Sequence, residues 1–176
     1  MSEKQKLLIV DDSELNRDIL KEILGSRYDY MEAENGTQAI QILEVHPEID
    51  LMLLDINMPQ MNGFQVLEHM RELQWIDEVP VVMISSEESV EIMRKAYDLG
   101  ITDYISRPFD AVIVKKRVQN TLGLYANQKR LINVVVDQVY QKEENNTIMI
   151  GILSNVLGSH NLSLIHISEP TRQAEI

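Results

Sequence analysis

Short apolar runs and amphipathic stretches alternate along residues 1–123. The runs are Leu7–Val10, Leu51–Leu54 and Val79–Ile84, with weaker ones at Tyr28–Ala33 and Thr102–Ile105. An unbroken series of Leu, Ile, Val and Met predicts a strand buried on both faces, as in a parallel sheet. Between the runs, Leu15, Ile19 and Ile23 predict one helical stripe ended by Gly25, and Phe64, Leu67 and Met70 predict another. Ile92, Ala96 and Leu99 predict a third, stopped by Gly100, with Ser86 as the N-cap ahead of Val90. Five strand–helix units in succession imply an α/β fold, because right-handed crossovers place helices on both faces of a parallel sheet. About 123 residues bury roughly two-thirds of their unfolded surface, enough for one core.

From Tyr125 the pattern changes. Tyr125, Ile132, Val139 and Leu153 fall at heptad-related positions, with Val135 or Val136, Met149 or Ile150, and Val156 alongside. This predicts one or two helices with a seam for a partner helix, and hence self-association. Lys142–Thr147 is polar, and Asn146 interrupts the seam. The alternative is a helix folded back on its own domain; Gly123 is the expected hinge in either arrangement. The expected organisation is a domain over 1–123, a helical linker and the start of an output domain over 124–161, and a tail over 162–176.

Charge narrows the partners. Acids outnumber bases 28 to 16, a formal charge of −12, which argues against direct nucleic-acid or anionic-membrane binding and suits a protein that handles cations. There are no cysteines, so disulfides, Cys-ligated zinc and Cys nucleophiles are excluded. Leu7–Val10 ends at Asp11 and Asp12, too short for a signal-peptide core, and nothing approaches the ~20 apolar residues of a membrane span. A soluble, cytoplasmic protein is expected.

The polar residues gain meaning when placed on the strands. Asp11 and Asp12 end the first run, Asp55 the third, Ser85 the fourth, and Arg107 follows the fifth. These are the carboxyl ends of parallel strands, where open α/β sheets place their ligand crevice. Singly, each residue has a plainer explanation: a helix cap, a turn or a solvated surface charge. Together, three converging carboxylates repel one another unless a cation sits among them. A donor set of oxygens alone favours a hard ion, Mg2+. A hydroxyl from Ser85 and the charge of Arg107 suit phosphoryl oxygens, so the inventory fits metal-assisted phosphoryl acceptance by a carboxylate.

The order and spacing of these residues resemble the receiver domain of two-component response regulators, from Lys6 to about Gly123. The matching segments are Leu-Ile-Val-Asp11-Asp12, then Leu53-Leu54-Asp55-Ile-Asn57-Met58-Pro59-Gln-Met-Asn62-Gly63, Met83-Ile84-Ser85-Ser86, and Asp103-Tyr104-Ile-Ser-Arg107-Pro108-Phe109. The resemblance implies a flavodoxin-like (βα)5 doubly wound sheet of order 2-1-3-4-5. It makes Asp55 the phosphoacceptor and Asp12 a direct Mg2+ ligand; Asp11 acts mostly through water, and the main-chain carbonyl of Asn57 also binds the ion. Ser85 becomes the hydroxyl that follows the phosphoryl group, Tyr104 the aromatic that reorients with it, and a histidine kinase or phosphotransfer protein the donor. Gly63 relieves steric strain where the loop enters the third helix, and Arg107–Pro108 is a candidate cis peptide.

The chain departs from the family at Arg107, where a lysine is usual; a planar guanidinium differs from an ammonium in reach and geometry. Residues Gln141–Asn161, especially Ile152–Asn161, resemble the beginning of HD-GYP cyclic-di-GMP phosphodiesterase domains, whose metal-binding His-Asp pair has no counterpart before the adapter-like tail; His160 reads as a solvated residue. Leu162–Arg172 resembles a translated sequencing-library adapter, so 162–176, His166 included, is set aside as non-native. The expected function is a phosphorylation-activated receiver, not itself an enzyme, relaying through a helical linker to an output domain. The alternatives are a phosphorylation-independent interaction module, or the receiver part of a transcriptional regulator.

Overall fold

A computed structural model describes residues 4–86 and 89–143, with side chains as far as residue 136. Five parallel strands form one sheet of order β2-β1-β3-β4-β5. They are β1 (Lys6–Val10), β2 (Asp29–Ala33), β3 (Leu51–Asp55), β4 (Val81–Ser85) and β5 (Asp103–Ser106). The helices are α1 (Glu14–Leu24), α2 (Gly36–Val45), α3 (Gly63–Glu72), α4 (Val90–Asp98) and α5 (Ala111–Glu143), with a 3-10 turn at Trp75–Asp77. This is the flavodoxin-like arrangement, with a long C-terminal helix added.

The central strands are apolar throughout because both faces are covered. Leu7, Ile9, Leu51, Leu53, Val82 and Ile84 point to one side, where Leu20 and Leu24 of α1 and Val114, Val118 and Leu122 of α5 meet them. Their alternates Leu8, Val10, Met52, Leu54, Val81 and Met83 pack against α2, α3 and Ala96 of α4. The edge strands β2 and β5 are only partly buried, which explains their weaker apolar runs. Strand β4 begins after Pro80, two residues later than the apolar run; proline lacks the N–H for a ladder, although its carbonyl accepts from the Met52 N–H at 2.9 Å.

Side-chain caps set the helix starts. Ser13 caps α1 and Asn35 caps α2, while Asn62 and Gln65 form a reciprocal capping box on α3. The N-cap of α4 is Ser89 and not Ser86, and it makes no side-chain capping bond. On α1 the expected stripe is displaced: Leu15 is exposed, and the buried positions are Arg17, Leu20 and Leu24. Gly63 is required by close approach, since a Cβ there would stand 2.4 Å from the Asp55 carbonyl oxygen.

The described residues up to Arg130 form one compact unit, and a second begins at Leu131. Gly123, expected as a hinge, is an interior residue of α5. Tyr125, expected in the heptad seam, is half-buried, and its hydroxyl accepts from Thr102 at 3.5 Å. In the second unit the described residues 131–143 are helical, and Leu131, Ile132, Val134 and Val135 are exposed. The side chain of Val139 is not among those described. The expectations for residues 144–161 and for the adapter-like tail 162–176 lie outside the described residues.

Candidate functional site

The site is built where β1 and β3 end side by side. Their register pairs Val10 with Leu54, so Asp11 follows one strand just where Asp55 closes the other. Asp11 and Asp55 are buried and Asp12 is exposed, and a carboxylate oxygen from each lies within 4.8 Å of the others. Gly63 lets the start of α3 pack against the Asp55 backbone, and its N–H donates to the Ile56 carbonyl at 2.9 Å.

Asp11 is held on every side. Its Oδ1 accepts from the Ser13 N–H at 2.9 Å and from Asn16 Nδ2 at 3.1 Å. Its Oδ2 accepts from Arg107 Nη2, which also lies 3.1 Å from Asp55 Oδ1. One guanidinium nitrogen thus bridges two of the three carboxylates. The guanidinium sits 5.5 Å from the Phe109 ring centroid, and among the described residues Arg107 Nε is buried without a hydrogen-bond partner. The Arg107–Pro108 peptide is cis.

Burial pushes the Asp55 carboxyl up to about 6, and repulsion from Asp11 and Asp12 adds to the shift; Arg107 and the Ile56 N–H oppose it. A cation among the three carboxylates would relieve that repulsion. The donors are all oxygens, so Asp11, Asp12 and Asp55 fit a hard ion such as Mg2+.

The remaining candidates are placed by the strands and loops around this centre. Ser85, buried at the end of β4, is one residue beyond Ile84, the register partner of Asp55, and its carbonyl accepts from the Arg107 N–H at 2.9 Å. Tyr104 on β5 is buried and pairs in register with Met83. Asn57 is exposed, two residues past Asp55, and Pro108 is also exposed. Sequence reasoning missed Asn16 and Arg17. A buried arginine within a helix has no pattern of its own; the displaced apolar stripe of α1 is its only trace.

Residues 7–119 match the response regulator receiver domain. The chain belongs to this family. Over 120 residues the receiver is 32% identical to a chemotaxis protein CheY homologue of Campylobacter jejuni, covering 67% of this chain and 92% of that protein. It is 32% identical over 127 residues to a Vibrio cholerae protein named "probable cyclic di-GMP phosphodiesterase", covering 72% of this chain but 29% of that one. The crystal structure of the Vibrio cholerae chemotaxis protein CheY4 superimposes with a TM-score of 0.63 at 27% identity, covering 68% of the receiver chain and 99% of its own. Among the described residues no helix of the receiver is long and apolar enough to cross a membrane.

Proposed function

We propose that this receiver is a phosphorylation switch with Asp55 as its acceptor. A carboxylate oxygen of Asp55 attacks the phosphorus of a phosphohistidine on a histidine kinase or phosphotransfer protein. The P–O bond forms as the P–N bond breaks, and its electron pair leaves with the imidazole. Asp11, Asp12 and Asp55, with the main-chain carbonyl of Asn57, would hold Mg2+. When bound, the ion supplies positive charge for the phosphoryl oxygens.

The chain's own residues do the rest. Arg107 gives up its place on Asp11 and turns donors toward the new phosphoryl oxygens, Nε among them. Ser85 follows with its hydroxyl, and Tyr104 reorients. The change passes along α5 to an output domain, in a cytoplasmic protein that self-associates through the helical region after residue 123. A cyclic-di-GMP phosphodiesterase is one such output, a reading supported by the relative that carries that name.

The observation that carries this reading is the convergence of three carboxylates on a buried aspartate at a strand end. Acetyl phosphate with Mg2+ should add one phosphate by intact mass, and Asp55→Asn should abolish the addition. A phosphate mapped to another residue overturns the assignment.

The Arg107 bridge favours a second reading, a receiver that docks its partners without phosphorylation, because one guanidinium already pairs with both Asp11 and Asp55. Beryllofluoride with Mg2+ separates the two. Amide shifts at Ser85 and Tyr104 support the switch, and an unchanged spectrum supports the docking module.

A further inference from the structure

Beneath the acidic loop lies a layer of polar groups that phosphoryl chemistry does not use. Arg17 occupies a core-facing position of α1 at 7% exposure, and among the described residues it is the only buried cation. A guanidinium is strongly disfavoured there unless its donors find acceptors. Two of them do. Nη1 donates to the main-chain carbonyl of Asp11 at 2.7 Å, and Nε donates to Glu32 Oε2 at 2.9 Å. Glu32 lies on β2, and its other oxygen takes Lys21 Nζ at 2.6 Å. Lys21 foremost, and Arg17 after it, hold the Glu32 carboxyl below its usual range.

The carbonyl that Arg17 grips belongs to the peptide joining Asp11 to Asp12. That unit is planar and rigid, so fixing its oxygen fixes the direction in which the chain enters Asp12. The Asp11 N–H is tied at the same time to the Ala33 carbonyl at 3.1 Å. Asp12 itself is exposed, so its carboxylate relies on the backbone for its aim. A lysine could not replace the fork, because a single ammonium on a flexible stem does not hold two acceptors at fixed spacing.

We infer that Arg17, braced by Glu32, is a positioning residue for the acidic pocket: it sets the Asp11–Asp12 peptide so that Asp12 converges on Asp11 and Asp55. The inference rests on the reading that this pocket holds Mg2+.

The test is a Mg2+ titration of the full chain, followed by the Asp12 and Asp55 amide signals well below the unfolding temperature. Arg17→Met should weaken Mg2+ binding by about tenfold, the loss typical when the support of a metal ligand is removed. Arg17→Lys should also weaken it, although the charge is kept. Glu32→Ala, at an exposed position, should act in the same direction but less, and adding it to Arg17→Met should cause no further loss. Leu24→Ala, at a buried position of α1 away from the loop, is the stability control and should leave the affinity unchanged. Wild-type affinity in Arg17→Met overturns the inference, as does an equal loss in Leu24→Ala. If Arg17→Met does not fold, unchanged affinity in Glu32→Ala overturns it. A wild-type chain that takes up no Mg2+ removes the metal reading, and this inference with it.

Discussion

Helices α1 and α5 depart from the apolar-in, polar-out rule in opposite directions. Helix α1 turns Arg17 toward the core and leaves Leu15 67% exposed, whereas α5 buries Val114, Val118 and Leu122 yet exposes Leu124, Leu131, Ile132, Val134 and Val135. One exposed leucine carries no information, since more than half of an ordinary protein surface is apolar; a buried polar group or an extended apolar face does. The two departures call for different explanations. The buried arginine is satisfied within its own domain, by the Asp11 carbonyl and Glu32. The exposed residues of α5 have no such account among the described residues, and their proposed explanation is a second copy of the chain.

The largest expected effect breaks the α1 side of this comparison. Arg17→Leu restores an apolar residue to a core position, so an account based on packing alone expects higher stability. We expect the reverse, a loss of about 2–3 kcal/mol, because the Asp11 carbonyl loses its donor and Glu32 a partner. Urea unfolding followed at the sole tryptophan, Trp75, measures it. An unchanged or raised midpoint would make Arg17 a replaceable filler.

Asp55 sharpens the contrast, because it is a buried charge in like-charged company. Its carboxyl has an ordinary value near 3.8 and sits at about 6 in the folded chain. Between those values the folded state keeps a proton that the unfolded state has released. The contribution of Asp55 to metal-free stability therefore falls as pH rises from about 4 to about 6, and it stays low above. Asp55→Asn should be more stable than wild type by on the order of 2 kcal/mol at pH 7.5 without divalent cations. The difference should vanish below about pH 4 and shrink when Mg2+ is added. A pH-independent difference would show that the asparagine acts by packing.

Much of this was legible in the sequence for an identifiable reason. Strands β1, β3 and β4 are covered on both faces, so their apolar runs stop abruptly and the acids and serine that follow stand out. The grip on those residues was not legible. Arg107 meets Asp11 from 96 positions away, a distance no periodicity spans. Arg17 interrupts the apolar count on α1, which displaces the inferred stripe to Leu15, Ile19 and Ile23. Ser86 and Ser89 both precede α4 and are chemically equal candidates for its N-cap, so composition could not choose between them. On α5, heptad spacing marked Tyr125 for the seam without revealing that Thr102 bonds to it.

The smallest expected effect on folding concerns α5. Replacing Leu124, Leu131, Ile132 and Val135 by Gln removes exposed side chains, so urea unfolding of the receiver should change by no more than about 0.5 kcal/mol. The same substitutions should act strongly on association. Burying one such side chain against a partner contributes about 1.5–3 kcal/mol, and each 1.4 kcal/mol is roughly tenfold in affinity. Removing four of them should weaken a dimer by at least about a hundredfold. Sedimentation across a concentration series should show wild-type association and a monomeric variant, and at dilutions where wild type is also monomeric the two unfolding curves should superimpose. If the two chains sediment identically, the apolar face of α5 serves something other than a second copy. If the unfolding curves separate by more than about 1 kcal/mol, these residues are covered within one chain, and the contrast between α1 and α5 disappears.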